Sequence, residues 1–187
     1  NDPPIEVDFS PLYKVNLESF KGVGLHYNGF DDISALTQMN NLKKVELCCM
    51  NLSREMINEV SMLYQIDTLS LFCSDIEDYS PLSSLTQLKC LTWFGTDIQD
   101  DDTDFIKNLV ELESIDISET SISDFDFLYS LEKLKEVKAS GEQLSNDDLF
   151  ELKNRGIEVI LCWFINIVIW FLRKNAKTKL ANKHNIL

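Results

Sequence analysis

An apolar-x-x-apolar-x-apolar pattern returns six times at nearly fixed intervals, and each copy is followed five residues later by another apolar position. The copies are Phe20, Val23, Leu25 and Phe30; Leu42, Val45, Leu47 and Leu52; Ile66, Leu69, Leu71 and Ile76. They continue with Leu88, Leu91, Trp93 and Ile98; Leu112, Ile115, Ile117 and Ile122; Leu134, Val137, Ala139 and Leu144. Successive copies start 22, 24, 22, 24 and 22 residues apart, and a partial seventh follows 23 later at Ile157 with Ile160. A repeat this small cannot bury its own apolar face and buries it against its neighbours, so the period defines a solenoid. Function in such a chain lies on a surface rather than in a cleft.

Within each copy the step from fourth to sixth position has the period of a strand, as in Val45-Glu46-Leu47 and Ile115-Asp116-Ile117. Each strand returns after a crossover of similar length, so neighbours are expected to be parallel and to form a curved sheet. Long crossovers read as helical. Ser53 caps a segment with Met56, Ile57, Val60, Leu63 and Tyr64 on one face; Asp104 precedes Phe105, Ile106 and Leu109, and Asn146 precedes Leu149 and Leu152 before Gly156. Short ones, such as Asp78-Tyr79-Ser80-Pro81-Leu82, have room for a turn or two, which predicts a mixture of α-helix and tighter helix outside. The expected class is α/β: a solenoid with a parallel sheet on the concave face and short helices or 3-10 turns on the convex face. Residues 1–19 read as an N-terminal cap, 20–162 as the repeats, and 163–187 as an apolar C-terminal segment with a basic tail.

The stretch from Asp78 to Ile98, D-Y-S-P-L-S-S-L-T-Q-L-K-C-L-T-W-F-G-T-D-I, resembles the 22-residue leucine-rich repeat of bacterial internalins, and residues 118–137 repeat the style. The resemblance departs at the ninth repeat position. Only Asn28 matches the family's asparagine, while Met50, Ser74, Thr96, Thr120 and Glu142 stand in the other copies. A continuous asparagine ladder is therefore absent, which predicts less regular turns after the strands. What the resemblance implies is protein recognition on the concave sheet.

Charge narrows the partners. The formal net charge is -14, yet Arg173, Lys174, Lys177, Lys179 and Lys183 form a tail without acids, so residues 1–172 carry 12 basic against 31 acidic side chains. Such a body repels phosphate backbones, which excludes nucleic acid and favours a basic protein partner. Cys48, Cys49, Cys73, Cys90 and Cys162 make no even, spaced framework, which favours a reducing, cytoplasmic compartment. The sequence shows no leader; a leader removed earlier would instead place the repeats outside the cell.

In the repeat frame the third, fifth, seventh and often eighth positions face the concave side. The fifth column reads Gly24, Glu46, Ser70, Thr92, Asp116, Lys138, and the seventh His26, Cys48, Phe72, Phe94, Ser118, Ser140. Phe72 and Phe94 are thus expected to adjoin as an exposed aromatic pair and a hot spot. His26, Tyr27 and Glu46 lie toward the N-terminal end, with Asp116, Glu119 and Lys138 on the other flank. Three chemical readings are set aside. A nucleophilic His26–Cys48 pair lacks a pocket and oxyanion donors, and a zinc set of His26, Cys48, Cys49 and Cys73 lacks ligand spacing. Asp100, Asp102, Asp104 and Glu111 mimic a calcium loop, but Phe105 stands where glycine is required. No catalytic residue, metal or cofactor is expected.

From Val159 to Leu172 only Asn166 is polar. A bilayer span takes about 20 residues, so this run is short for a membrane anchor, and a cap over the last repeat or a homo-oligomer contact is preferred. The function expected is non-catalytic protein binding on the concave face, for example by an inhibitor or immunity protein covering a basic toxin. The alternative is a membrane-tethered surface adhesin or receptor fragment.

Overall fold

The computed structural model describes residues 17–23, 33–48 and 50–162. Nine strands follow one another along the described residues. Seven form one sheet: β1 (Ser19–Val23), β2 (Lys44–Cys48), β4 (Thr68–Phe72), β6 (Cys90–Thr92), β7 (Ser114–Asp116), β8 (Glu136–Ser140) and β9 (Glu158–Cys162). They pair in that order and all in parallel. Two short strands, β3 (Asn51–Leu52) and β5 (Asp75–Ile76), make a second parallel pair beside it. Parallel strands need crossovers that return to the same edge. These are α1 (Arg54–Ser61), α2 (Asp126–Tyr129), α3 (Asn146–Asn154) and 3-10 segments at Ser34–Gln38, Ser80–Ser84 and Asp100–Asn108. The expected mixture of helix types is present.

The core is a stack of equivalent side chains. Leu42, Ile66, Leu88, Leu112 and Leu134 occupy the first position, Val45, Leu69, Leu91, Ile115 and Val137 the fourth, and Leu47, Leu71, Trp93, Ile117 and Ala139 the sixth; all are buried. Trp93 is the one bulky departure. Its ring meets Phe105 edge-on at 5.5 Å and Tyr79 edge-on at 6.3 Å, while Tyr79 and Phe105 stack at 6.2 Å. Such a cluster fills a wider layer than leucine could, and aromatic pairs in these geometries add about 0.5–1.5 kcal/mol each beyond burial.

Both ends depart from the sequence reading. In the first repeat Phe20 pairs with Val45 and Gly22 with Leu47, so the frame is Leu17-x-x-Phe20-x-Gly22 rather than Phe20-x-x-Val23-x-Leu25. The two frames carry the same apolar spacing at their first and fourth positions, and spacing alone does not choose between them. The pairing chosen joins Lys21 to Glu46 at 3.1 Å and turns Val23 outward, 54 % exposed. The last repeat is displaced by one. Gly156, at φ +77°, closes α3, donating its N–H to the Lys153 carbonyl at 2.9 Å, and takes the place of the expected first apolar residue. Val159 then pairs with Val137 and Leu161 with Ala139, so Ile160 sits beside Lys138 on the concave side, away from the core. A slip of one residue exchanges the faces of a strand.

Cap positions shift as well. Ser53 accepts the Met56 N–H at 3.3 Å, as expected. Asp104 starts no helix: the 3-10 segment begins at Asp100 with Gln99 as its cap, and Asp104 is paired with Lys107 at 2.7 Å. Ser145, not Asn146, caps α3, in a reciprocal box with Asp148. Tyr64 follows α1 and is 61 % exposed instead of packed.

Candidate functional site

The pleat decides what the sheet presents. With fourth and sixth positions turned into the core, the third, fifth and seventh are left on the concave side. The pairing aligns Lys21, Glu46 and Ser70 in one column, continued by Thr92, Asp116, Lys138 and Ile160. The next column outward begins Val23, Cys48, Phe72 and ends Ser140, Cys162. Phe94 lies between: the Cys73 N–H donates to its carbonyl at 2.9 Å, and the Phe72 and Phe94 rings stand 6.5 Å apart, tilted by 50°. Both rings are half-buried. The expected aromatic pair is therefore formed.

The other expected residues divide. His26 and Tyr27 lie outside the described residues, and it is Val23 that stands beside Cys48 in place of the expected His26. Glu46 is held between Lys44 at 2.6 Å and Lys21 at 3.1 Å, which keep its carboxyl below the usual range, Lys44 chiefly, against the opposing effect of burial. Among the described residues this trio thus carries one net positive charge. Lys138 reaches Glu136 at 3.4 Å, and Glu136 also accepts the Ser114 hydroxyl at 2.8 Å. Asp116 accepts the Ser118 N–H at 3.0 Å, and Glu119 accepts the Ser140 hydroxyl at 2.9 Å. Asp116, Glu119, Glu136 and Lys138 lie together on the C-terminal half, away from Glu46.

The eighth position has its own backbone signature. Cys73, Gly95 and Glu119 hold φ of 49°, 68° and 60° in three successive repeats. Only glycine adopts that conformation freely. The turn it opens is closed one residue later by hydroxyls. Ser74 accepts the Met50 N–H at 3.4 Å and shares its proton between the Phe72 and Leu47 carbonyls; Thr96 donates to Trp93 O at 3.0 Å and Thr120 to Ile117 O at 2.7 Å. Gln143 reaches back to Ile117 O and the Thr120 hydroxyl at 3.1 and 3.0 Å. Ser74 and Gln143 thus link successive turns, while Thr96 and Thr120 close their own.

Two features escaped the sequence reading. At the second repeat position stand Glu18, Lys43, Asp67, Lys89, Glu113 and Lys135, alternating in sign along the sheet edge. Each one's carbonyl accepts the N–H of the next, from Glu18 to Lys43 at 2.8 Å through to Glu113 and Lys135 at 2.8 Å. The signal was present as a sign change at a fixed position. The second is Ser118, which lies in the aromatic column yet is fully enclosed, its Oγ without a hydrogen-bond partner among the described residues. Nothing in its spacing announced that.

The chemistry on this face is that of contact. Burial pushes the Cys90 thiol up from its ordinary value; Thr68 opposes this, and the carboxylates of Asp67, Glu113 and Glu136 add to it. A thiol so placed is protonated and weakly nucleophilic. The four acids of the calcium-like run face apart, Asp100 to Ser123 and Asp124, Asp102 to the Gln99 N–H, Asp104 to Lys107 and Glu111 to Lys133. Among the described residues no group of three potential ligands converges, and no helix is long and apolar enough to cross a membrane.

Sheet, crossovers and repeat frame define the chain as a leucine-rich-repeat solenoid. Among solved structures it is similar to an internalin C2 from Listeria monocytogenes, at 25 % identity and a TM-score of 0.55, over 83 % of this chain and 66 % of that one. An internalin F from the same organism aligns at 21 % identity and a TM-score of 0.49, over 82 % and 56 %. The chain thus spans less than two thirds of either. No family model matches the sequence, and no curated protein does. The architecture is internalin-like, and in general terms that of a protein-interaction module.

Proposed function

We propose that the concave sheet binds a basic protein partner and acts by covering it, as an inhibitor or immunity protein covers a toxin. The observation that carries this reading is the Phe72–Phe94 pair, two rings in contact at 6.5 Å on an open sheet face. Aromatic side chains at the centre of a flat surface, with charge around them, are where binding energy concentrates. The acidic body supports a basic partner, because opposite charge speeds encounter and rejects wrong partners. The cap of this reading ends ahead of Leu17, where the first repeat begins, rather than at residue 19, and 163–187 form a segment apart from the binding face.

Affinity capture of the native partner, with wild-type chain and with Phe72→Ala/Phe94→Ala, tests it. Recovery of a basic protein by the wild type, and its loss with the double variant, is expected. Equal recovery by both would remove the concave face from the proposal. Inhibition is checked on the captured partner's own activity, which falls as the chain is titrated in.

A further inference from the structure

The concave face is polarised along the solenoid. Its seventh column is apolar over four neighbouring strands, Val23, Cys48, Phe72 and Phe94, a run of about 14 Å at the ordinary strand spacing. Val23 belongs to this run only because of the frame found in the first repeat, and it is more than half exposed. Beyond Phe94 the column changes to Ser118 and Ser140. The charges change at the same place. Beside the apolar run stand Lys21, Lys44 and Glu46, bound together with one positive charge left over. From β7 onward the concave positions hold Asp116, Glu119, Glu136 and Glu158 against Lys138. The Asp116 carboxylate is oriented by a neutral donor, the Ser118 N–H, which fixes its direction without cancelling its charge.

Resting on the concave reading above, the geometry points to an extended segment of a protein partner that crosses the strands in one direction only. Its bulky apolar side chain lies on Phe72 and Phe94, and a lysine or arginine close by in its sequence lies over Asp116. Extended chain advances about 3.3 Å per residue and adjacent strands are about 4.8 Å apart, so the two side chains lie within about three residues of each other. The reverse direction would set the cation against Lys21 and Lys44 and leave Asp116 facing an apolar group. Charge thus selects the direction while the rings supply the affinity.

Random peptides displayed and selected on the full chain are the probe. Enriched sequences are expected to carry an aromatic or aliphatic residue with a lysine or arginine within about three positions. A synthetic copy of one such peptide should lose about tenfold or more in affinity with Phe94→Ala, less with Phe94→Leu, and about threefold with Asp116→Asn. High salt should erase the Asp116 effect and spare the Phe94 effect. The same peptide with its lysine or arginine changed to glutamate should bind more weakly. Loss with Phe94→Ala but none with Asp116→Asn, or equal binding of the glutamate peptide, overturns the polarity and leaves the concave reading standing. Affinity unmoved by both variants overturns the two together. Failure to enrich any peptide overturns the extended segment and leaves a folded partner for the concave face.

Discussion

Lys135 Nζ sits 2.6 Å from a Glu113 carboxylate oxygen, one strand away at the same repeat position. The pair is one contact in a row of six alternating charges, in which Glu113 also feels Lys89 and Lys133 after Lys135. Both side chains are largely solvated, so any one contact is weak and the row acts as a sum. Glu113→Lys would place three cations in succession. Its melting temperature should fall below wild type at low salt, with the gap closing as salt rises; a gap that persists in high salt would show that the charge row is not its cause.

Asp100 ties two repeats together. Its carboxylate accepts the Ser123 N–H and hydroxyl at 2.7 Å each and the Asp124 N–H at 2.9 Å, and these bonds, that of Asp124 first, hold its carboxyl below the usual range. A depressed value stabilises the fold above the unfolded value near 3.8 and is lost as pH falls through the folded one. Asp100→Ala should cost about 1 kcal/mol at neutral pH, the exposed setting keeping it small, and Asp101→Ala close to nothing. Urea midpoints of the two variants decide; equal shifts would remove Asp100 from this role.

Ser118 pays for a buried hydroxyl that makes no bond among the described residues. Ser118→Ala removes the polar atom and keeps the volume, so stability should stay level or rise by up to about 1 kcal/mol. A loss larger than that in chemical denaturation would mean that the hydroxyl has a partner after all.

Tyr129 links α2 to α3, donating its hydroxyl to Asp148 at 3.1 Å with the Arg155 guanidinium 5.7 Å from its ring. Burial first, and then the Asp148 hydrogen bond, push its phenol up to about 12 from 10.0. The folded state therefore holds a proton that the unfolded state gives up, and this contribution is full below 10.0 and is lost as pH rises toward about 12. Wild type should lose stability over that window faster than Tyr129→Phe. Parallel pH profiles, or tyrosinate absorbance rising with all tyrosines together, would contradict the assignment.

The middle of the molecule was legible because its six-position pattern repeats without a rival frame. From Leu42 to Ala139 every first, fourth and sixth residue is buried where the period put it. The ends were not, for two physical reasons. Leu17 and Phe20 offer the spacing that Phe20 and Val23 also offer, and only pairing with β2 breaks the tie. At the other end the helix-closing Gly156 occupies a repeat position, an event invisible to a count of apolar residues. The same holds for the site. Phe72 and Phe94 followed from column geometry, whereas the second cation on Glu46 is Lys21, whose place came with the corrected frame.

The charge row carries a constraint on how such a chain can lengthen or shorten. Removing the single repeat between Lys43 and Asp67 would bring Glu18 against Asp67, and removing any other single interior repeat would likewise set like charges side by side. Excising two neighbouring repeats among those that start at Leu42, Ile66, Leu88 and Leu112 restores the alternation, and it also removes one 24-residue spacing with one of 22. The charge-matched module of this solenoid is accordingly a doublet, and variants that gain or lose interior repeats should keep their edge charges alternating when they do so in even numbers.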